Sequence, residues 1–282
     1  MMISIIILTF NEEANLAICL DSLKKLNAEI FIVDSGSSDD TLEIAKEYGC
    51  QTFYNPWQNY AEQLNWALQN IPIKTPWTMR LDADERLMPE LVDELKRVLT
   101  ITPENITGYQ VKRRVFFMGK WIRHGGYYPT WLLRVWRTGL GFCEQRWMDE
   151  HMVISQGKIA NLKYDIIDEN HKGLTFWTNK HNSYANREIK DLLHLYSSSQ
   201  EKDSLLDRDH FTQANQRRWI KNNLYSRSPL FLRALIYYFL RYVIGLGFLD
   251  GIEGMIFHFL QGFWYRFLVD AKIYEYTKNK LA

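Results

Sequence analysis

Cysteine is scarce in this chain: three in 282 residues, Cys19, Cys50 and Cys143, far apart and without Cys-X-X-Cys spacing. That argues against a disulfide framework or a zinc site and fits a reducing cytosol. An excess of charge is missing too. Thirty-four Lys and Arg face 33 Asp and Glu, a net charge of +1, so the balance gives no argument for nucleic acid as a partner. The opening Met1-Met2-Ile3-Ser4-Ile5-Ile6-Ile7-Leu8 is apolar but has no basic region and no small-residue cleavage site. It reads as a first strand rather than a signal peptide. No Gly-X-Gly-X-X-Gly follows it, which disfavours a dehydrogenase-type site. No internal repeat is visible.

What is present is the composition of a folded protein, 46% hydrophobic and 24% charged, with aromatics at 15% and enough length for one large domain or two. Residues 3–10 form a continuous apolar run, as expected of a parallel strand covered on both faces. Residues 13–26 place Leu16, Leu20, Leu23 and Leu26 on one helical face. Strands are expected at 29–34, 50–53 and 77–81. Helices are expected at 41–48, 60–70 and 90–99, with Asp39-Asp40 before the first and Pro89 opening the last. This alternation predicts an α/β fold with an open, mostly parallel, doubly wound sheet whose ligands bind beyond the C-terminal strand ends. Residues 109–117 and 131–136 look like further strands, and a helix is expected to start near Leu174. The charged stretch 200–218 reads as a solvated helix or linker. Three segments follow by role: 1–100 for a nucleotide-sugar, 101–225 for an acceptor and catalysis, and 226–282 as apolar helices.

Acidic residues gather at the strand ends. Asp82 and Asp84, one residue apart after an apolar strand, are hard oxygen donors for Mg²⁺ or Mn²⁺, ions that carry substrate phosphates. Asp84 is assigned to the metal, and Asp82 to ribose or the same metal; both could instead cap the following loop. Thr9, Asn11, Glu12 and Asp34 can hydrogen-bond a nucleobase and ribose, although Asn11-Glu12-Glu13 also suits a plain helix start. The Ser35-Gly36-Ser37-Ser38 loop lets a ligand approach backbone N–H groups. Asp149-Glu150-His151 offers a carboxylate base for an acceptor hydroxyl, with a surface turn as the plain alternative. His151 or His171 could complete a metal shell. Lys172, Lys180, His181 and Arg187 supply cations for a departing diphosphate or form a solvated helix face. Arg113, Arg114, Arg123 and Arg134 read either as contacts to a sugar or anionic acceptor or as strand-edge charges.

Residues 229–249 are almost wholly apolar, with Arg233 and Arg241 their only cations. As one helix they would reach about 31 Å at about 1.5 Å per residue. Arg241 near mid-bilayer would cost about 3 kcal/mol. An interfacial helix snorkelling both cations is therefore preferred to a span, with a buried hairpin or homodimer contact as the alternative.

Ser4-Ile5-Ile6-Ile7-Leu8-Thr9-Phe10-Asn11-Glu12-Glu13, Val33-Asp34-Ser35-Gly36-Ser37-Ser38-Asp39-Asp40-Thr41 and Leu81-Asp82-Ala83-Asp84-Glu85 together resemble family 2 glycosyltransferases of the GT-A fold. Tyr54-Asn55-Pro56-Trp57, Asn170-His171-Lys172-Gly173-Leu174 and Gly247-Phe248-Leu249-Asp250-Gly251 are similar to the bacterial lipopolysaccharide inner-core β-1,4-glucosyltransferase subgroup. The resemblance implies inverting transfer from a UDP-sugar with Mg²⁺ or Mn²⁺ on Asp82 and Asp84. It implies Thr9, Asn11, Glu12 and Asp34 at the nucleoside, Asn65 near the donor, and Glu150 as base, Asp149 standing where the subgroup tends to have His. The Gln-X-X-Arg-Trp of processive synthases is unmatched, since Asn215 holds the Gln position, so single-sugar transfer is expected. The whole reads as a cytoplasmic-face, membrane-associated enzyme acting on a lipopolysaccharide core or lipid-linked glycan. A polyprenyl-phosphate glycosyl synthase and, further off, a non-catalytic sugar-nucleotide-binding protein are the alternatives.

Overall fold

The isoleucine-rich start folds as strand β1 (Ile3–Thr9), and its alternating side chains fill two different cores. Ile3, Ile5 and Ile7 pack with Leu16, Leu20 and Leu23 of helix α1 (Glu13–Leu23), while Ile6 faces the opposite side with Phe31 and Leu64. Such two-sided burial requires helices on both faces of the sheet. The computed structural model describes residues 1–144, 151–197, 213, 219, 220, 225 and 227–281.

Strand β2 (Glu29–Asp34), helix α2 (Thr41–Glu47), strand β3 (Gln51–Tyr54), helix α3 (Tyr60–Asn70) and strand β4 (Trp77–Asp82) follow in turn. A short β5 (Glu85–Leu87), helix α4 (Pro89–Ile101), β6 (Ile106–Phe117), β7 (Lys120–Ile122) and β8 (Trp131–Arg137) come next. Helix α3 covers one face of the sheet, and α1, α2 and α4 the other. After β9 (Gly141–Cys143) and β10 (Met152–Ile154), a small antiparallel pair, β11 (Lys158–Glu169) returns to the main sheet. That sheet runs β3-β2-β1-β4-β8-β6-β11-β5. Its first four strands are parallel, as expected, but β8 runs antiparallel to both β4 and β6, and β5 antiparallel to β11. The sheet is therefore mixed past β4.

The expected helix 13–26 ends three residues early: Leu26 stays buried in a turn, and Asn27 takes the left-handed φ of 52°. Strand β11 was not expected. Its charged residues hide it, because Asp165 is buried mid-strand and offset by Arg114 at 2.5 Å and Lys112 at 3.1 Å. Arg113 likewise pairs with Asp168 at 3.1 Å, so these two arginines are cross-strand ion pairs.

The chain divides into two compact units, Met1–Phe116 with Trp131–Lys172, and Phe117–Thr130 with Gly173–Ala282. These cut the chain differently from the three segments read by role. In the second unit, helix α5 (Gly173–Ser197) packs through Ala185 on Tyr265, Val269 and Ile273 of helix α8 (Tyr265–Leu281). The apolar stretch 229–249 is not one helix. Helix α6 (Leu232–Phe239) passes into a π-helical turn, Leu240–Ile244, and breaks at Gly245 and left-handed Leu246 before a 3₁₀ turn, Gly247–Asp250. Helix α7 (Gly251–Phe257) and a second π-helical stretch, His258–Trp264, lead into α8. Arg233 and Arg241 do not snorkel outward. Arg233 is 2% exposed and grips Asp270 Oδ1 through Nε and Nη2 at 2.8 and 2.5 Å, and Arg241 Nε donates to the Gly125 carbonyl at 2.5 Å. Residues 200–212 and 214–218 lie outside the described residues, as do Asp149 and Glu150.

His181 stacks on Trp177 at 3.5 Å, and burial pushes its pKa down to about 4. It is therefore neutral in the fold yet gains a proton near pH 6.5 when unfolded. Its contribution is intact above that pH and is lost as pH falls from about 6.5 to about 4, at most about 3 kcal/mol. Denaturant unfolding at about pH 7.5 and about pH 5 should show this loss, and His181→Phe should shrink it.

Candidate active site

At the C-terminal ends of β1 and β2, Asp34 organises the loop that follows it. The buried carboxylate accepts from the Thr9 hydroxyl at 2.8 Å and the Ser37 hydroxyl at 2.5 Å on Oδ1, and from the Gly36 and Ser37 N–H groups at 2.8 Å each on Oδ2. Gly36 takes φ 100°, a conformation that suits glycine. Asn11, left-handed at φ 54°, donates its N–H to Ser37 Oγ and accepts the Ser38 N–H, both at 2.8 Å. Ser35 Oγ accepts from Gln63, a buried residue that the sequence did not single out. Thr9, Asn11, Asp34 and Ser35 are thus brought together as one hydrogen-bonded rim.

Glu12 sits next to this rim at the start of α1. Its Oε2 accepts from Asn15 at 2.7 Å and its Oε1 from Lys172 Nζ at 2.6 Å. Burial raises the Glu12 pKa, the Lys172 and Asn15 hydrogen bonds oppose this, and the charge of Asp84 adds to the rise. Residues 169–172, arriving from β11, close over this corner. The Glu169 N–H donates to the Asp84 carbonyl at 2.9 Å, and Asn170 Nδ2 to Asp84 Oδ2 at 3.0 Å. His171 donates its N–H to Asn15 Oδ1 at 2.8 Å. A shallow recess is lined by Asn15, Asp84, Glu169 and His171. Of the four expected diphosphate cations, Lys172 is the one in this unit. Lys180, His181 and Arg187 lie on α5 in the second unit, Lys180 and Arg187 within 6 Å of the Tyr184 ring.

The two aspartates at the end of β4 have different tasks. Asp82 Oδ1 accepts from Tyr60 at 2.7 Å and from Arg80 Nε at 3.4 Å, and Oδ2 from Arg134 at 3.2 Å. Arg134 also bonds Glu85, whose Oε2 accepts the Asp82 N–H at 3.1 Å. Burial alone would raise the pKa of Asp82, but Arg80, Arg134 and the Tyr60 hydroxyl hold it far below the usual carboxylate range. Burial pushes the Glu85 pKa up, with Arg134 opposing and Asp82 adding. Arg134 is therefore a buried counter-ion, neither a strand-edge charge nor a sugar contact.

Among the described residues no three His, Cys, Asp or Glu side chains form a ready-made ion cage, so Asp82, Asp84 and His151 do not make one. His151 instead pairs its backbone with Glu144, its carbonyl accepting at 3.0 Å. A hard cation held by one or two carboxylates, with phosphates and water completing its shell, needs no such cage. Asp84, fixed by Asn170, fits that role, and an ion there would supply positive charge beside a diphosphate. The Asn65 amide is engaged at both ends by Cys143, to its carbonyl and from its N–H, each at 2.8 Å. It ties α3 to β9.

Removing Arg134 leaves the buried Glu85 carboxylate and the half-buried Asp82 without their shared cation. Arg134→Met should cost about 3–5 kcal/mol in unfolding free energy, and adding Glu85→Gln should recover part of it. Urea denaturation of the two variants measures both effects.

Residues 4–170 match the profile described as glycosyl transferase family 2. The chain is 34% identical over 171 residues to a lipopolysaccharide core biosynthesis glycosyltransferase, LpsC, of Rhizobium meliloti, covering 57% of this chain and 60% of that protein. An uncharacterized glycosyltransferase of Rickettsia prowazekii is 36% identical over 118 residues, or 42% of this chain and 40% of that protein. The chain thus spans 60% or less of these relatives' lengths. Among solved structures, Staphylococcus aureus TarS 1–349 in complex with UDP-GlcNAc is similar over 96% of this chain and 91% of its own, at 14% identity and a TM-score of 0.46. Glucosyl-3-phosphoglycerate synthase from Mycobacterium tuberculosis, with Mn²⁺ and UDP, is similar over 40% of this chain and 44% of its own, at 26% identity and a TM-score of 0.34. With the profile match extending over more than half of its length, the chain belongs to glycosyl transferase family 2.

Proposed function

We propose that this chain moves one sugar, with inversion, from a UDP-sugar to a hydroxyl of a lipopolysaccharide core or related lipid-linked surface glycan. The observation that carries the reading is the meeting of three strand-end segments around Asp84 and Lys172: the start of α1, the β4-β5 turn and residues 169–172. The rim built on Asp34 and Asn11 takes the nucleoside. Asp84 holds Mg²⁺ or Mn²⁺, which supplies charge to the diphosphate. Lys172, released from Glu12, neutralises the same leaving group.

Glu150 acts as base, with Asp149 as the other candidate. The base takes the acceptor hydroxyl's proton as that oxygen bonds the anomeric carbon. The bond from that carbon to the diphosphate oxygen breaks with its electron pair leaving on UDP. The name of the Rhizobium meliloti relative supports the acceptor class. Three free cysteines support a cytoplasmic-face setting. A lipid phosphate acceptor, already ionised, would need no base, and transfer undiminished in Glu150→Gln would point to a polyprenyl-phosphate glycosyl synthase.

The test is UDP release from a panel of UDP-sugars, wild type against Asp84→Ala. One sugar should give slow release that falls at least about 10²-fold in the variant and on adding EDTA. Release indifferent to both would overturn the site.

A further inference from the structure

One stretch of the second unit has its polarity reversed. Between residues 230 and 269 every exposed residue is apolar or glycine. The arginines of that stretch turn inward, Arg233 to Asp270, Arg241 to the Gly125 carbonyl and Tyr237, and Arg266 to Glu188 at 2.9 Å, while Glu253 on α7 stays half-exposed. Asp250, 3% exposed, accepts the His124 N–H at 2.9 Å and lies 2.6 Å from His124 Nδ1. Meanwhile Ile244 at the end of the first π-helical turn is 63% exposed and Ile252 on α7 is 69% exposed. Leu246, Phe248 and Leu249 crown the turn between them.

Glycine makes that turn tight. A Cβ on Gly245 would lie 2.8 Å from the Arg241 carbonyl, and one on Gly247 2.6 Å from His258 Nε2. The charged interior and the apolar crown are thus parts of one packed element.

A water-exposed helix pair buries its apolar stripe and presents its charges. The opposite arrangement suits hydrocarbon, in which ionisable groups face the interior and pair. A second copy of the chain would ordinarily meet an apolar patch ringed by polar residues. Here the apolar surface continues along α6, over the turn and onto α7. No single helix among the described residues is long and apolar enough to cross a membrane. Leu232–Ile244 and Gly247–Asn279, bent by 67°, together have the length and composition of a broken or re-entrant span.

We propose that this bent hairpin is a monotopic anchor that inserts turn-first into the hydrocarbon of one leaflet. Because its arginines are turned inward, insertion does not depend on anionic lipid. The inference rests on the second unit alone and deepens the reading of the acceptor as lipid-linked.

The test is flotation of the full chain with phosphatidylcholine vesicles at high salt. The wild type should float. The triple variant Ile244→Ser, Phe248→Ser, Ile252→Ser should stay in the bottom fractions while still hydrolysing its donor. Amide hydrogen exchange of the wild type should show residues 243–252 protected only when vesicles are present. A wild type that stays down, floats only on anionic vesicles at low salt, or shows that segment equally protected in a lipid-free dimer would overturn the anchor. Donor hydrolysis in the same samples reads the first unit separately, so failure of the anchor and failure of the transfer reaction are told apart.

Discussion

The buried contact of Arg134 with Asp82 and Glu85 holds the end of β4 in place, and the geometry of the candidate site follows from it. Desolvating two carboxylates is costly, and a single guanidinium between them, with Arg80 beside Asp82, offsets that cost only in one arrangement. Arg134 comes from β8, whose antiparallel pairing with β4 sets Val135 opposite Met79. Tyr60 comes from α3 and donates to the same Asp82, while its ring lies 4.0 Å from Arg80. Four elements therefore meet at one aspartate. With Asp82 so committed, Asp84, two residues on, is left to face residues 169–172 and the α1 start.

That division of labour gives an Asp-X-Asp pair two unlike members. One is an anchor kept ionised by guanidinium groups, and the other meets a neutral amide and lies close enough to Glu12 to raise its pKa. A diphosphate with its cation would enter a corner where negative charge already accumulates, with the Glu12–Lys172 pair able to reorganise. The same logic of buried charge recurs in the second unit, where Arg233 and Asp270 are both under 3% exposed. There it lets the surface be apolar.

The α/β order was legible because its signals are local. The isoleucine run at 3–7 and the Asp34 loop fell where they were expected, and helix 60–70 matched residue for residue. Thr9, Asn11, Asp34 and Ser35 also came together as their strand-end positions implied. What stayed hidden depends on contacts across the sheet. Arg134 looked like an edge charge until β8 was set against β4. Strand β11 was masked by Asp165, whose partners lie 51 and 53 residues earlier. Asn170 and Lys172 could not be matched to Asp84 and Glu12 from spacing, since 86 and 160 residues separate them. The break at Gly245 overrode an apolar run that read as one helix, because packing on Arg241 and Gly125 demands a residue without a side chain.

The central claim is that Asp84, rather than Asp82, carries the cation that brings in a nucleoside diphosphate. Titration calorimetry of UDP with and without Mn²⁺, on wild type and Asp84→Asn, tests it most directly. The account predicts that Mn²⁺ strengthens UDP binding to the wild type and does nothing for the variant, which otherwise keeps its thermal stability. Equal UDP affinity with and without Mn²⁺ in the wild type, or an undiminished Mn²⁺ effect in Asp84→Asn, would contradict it.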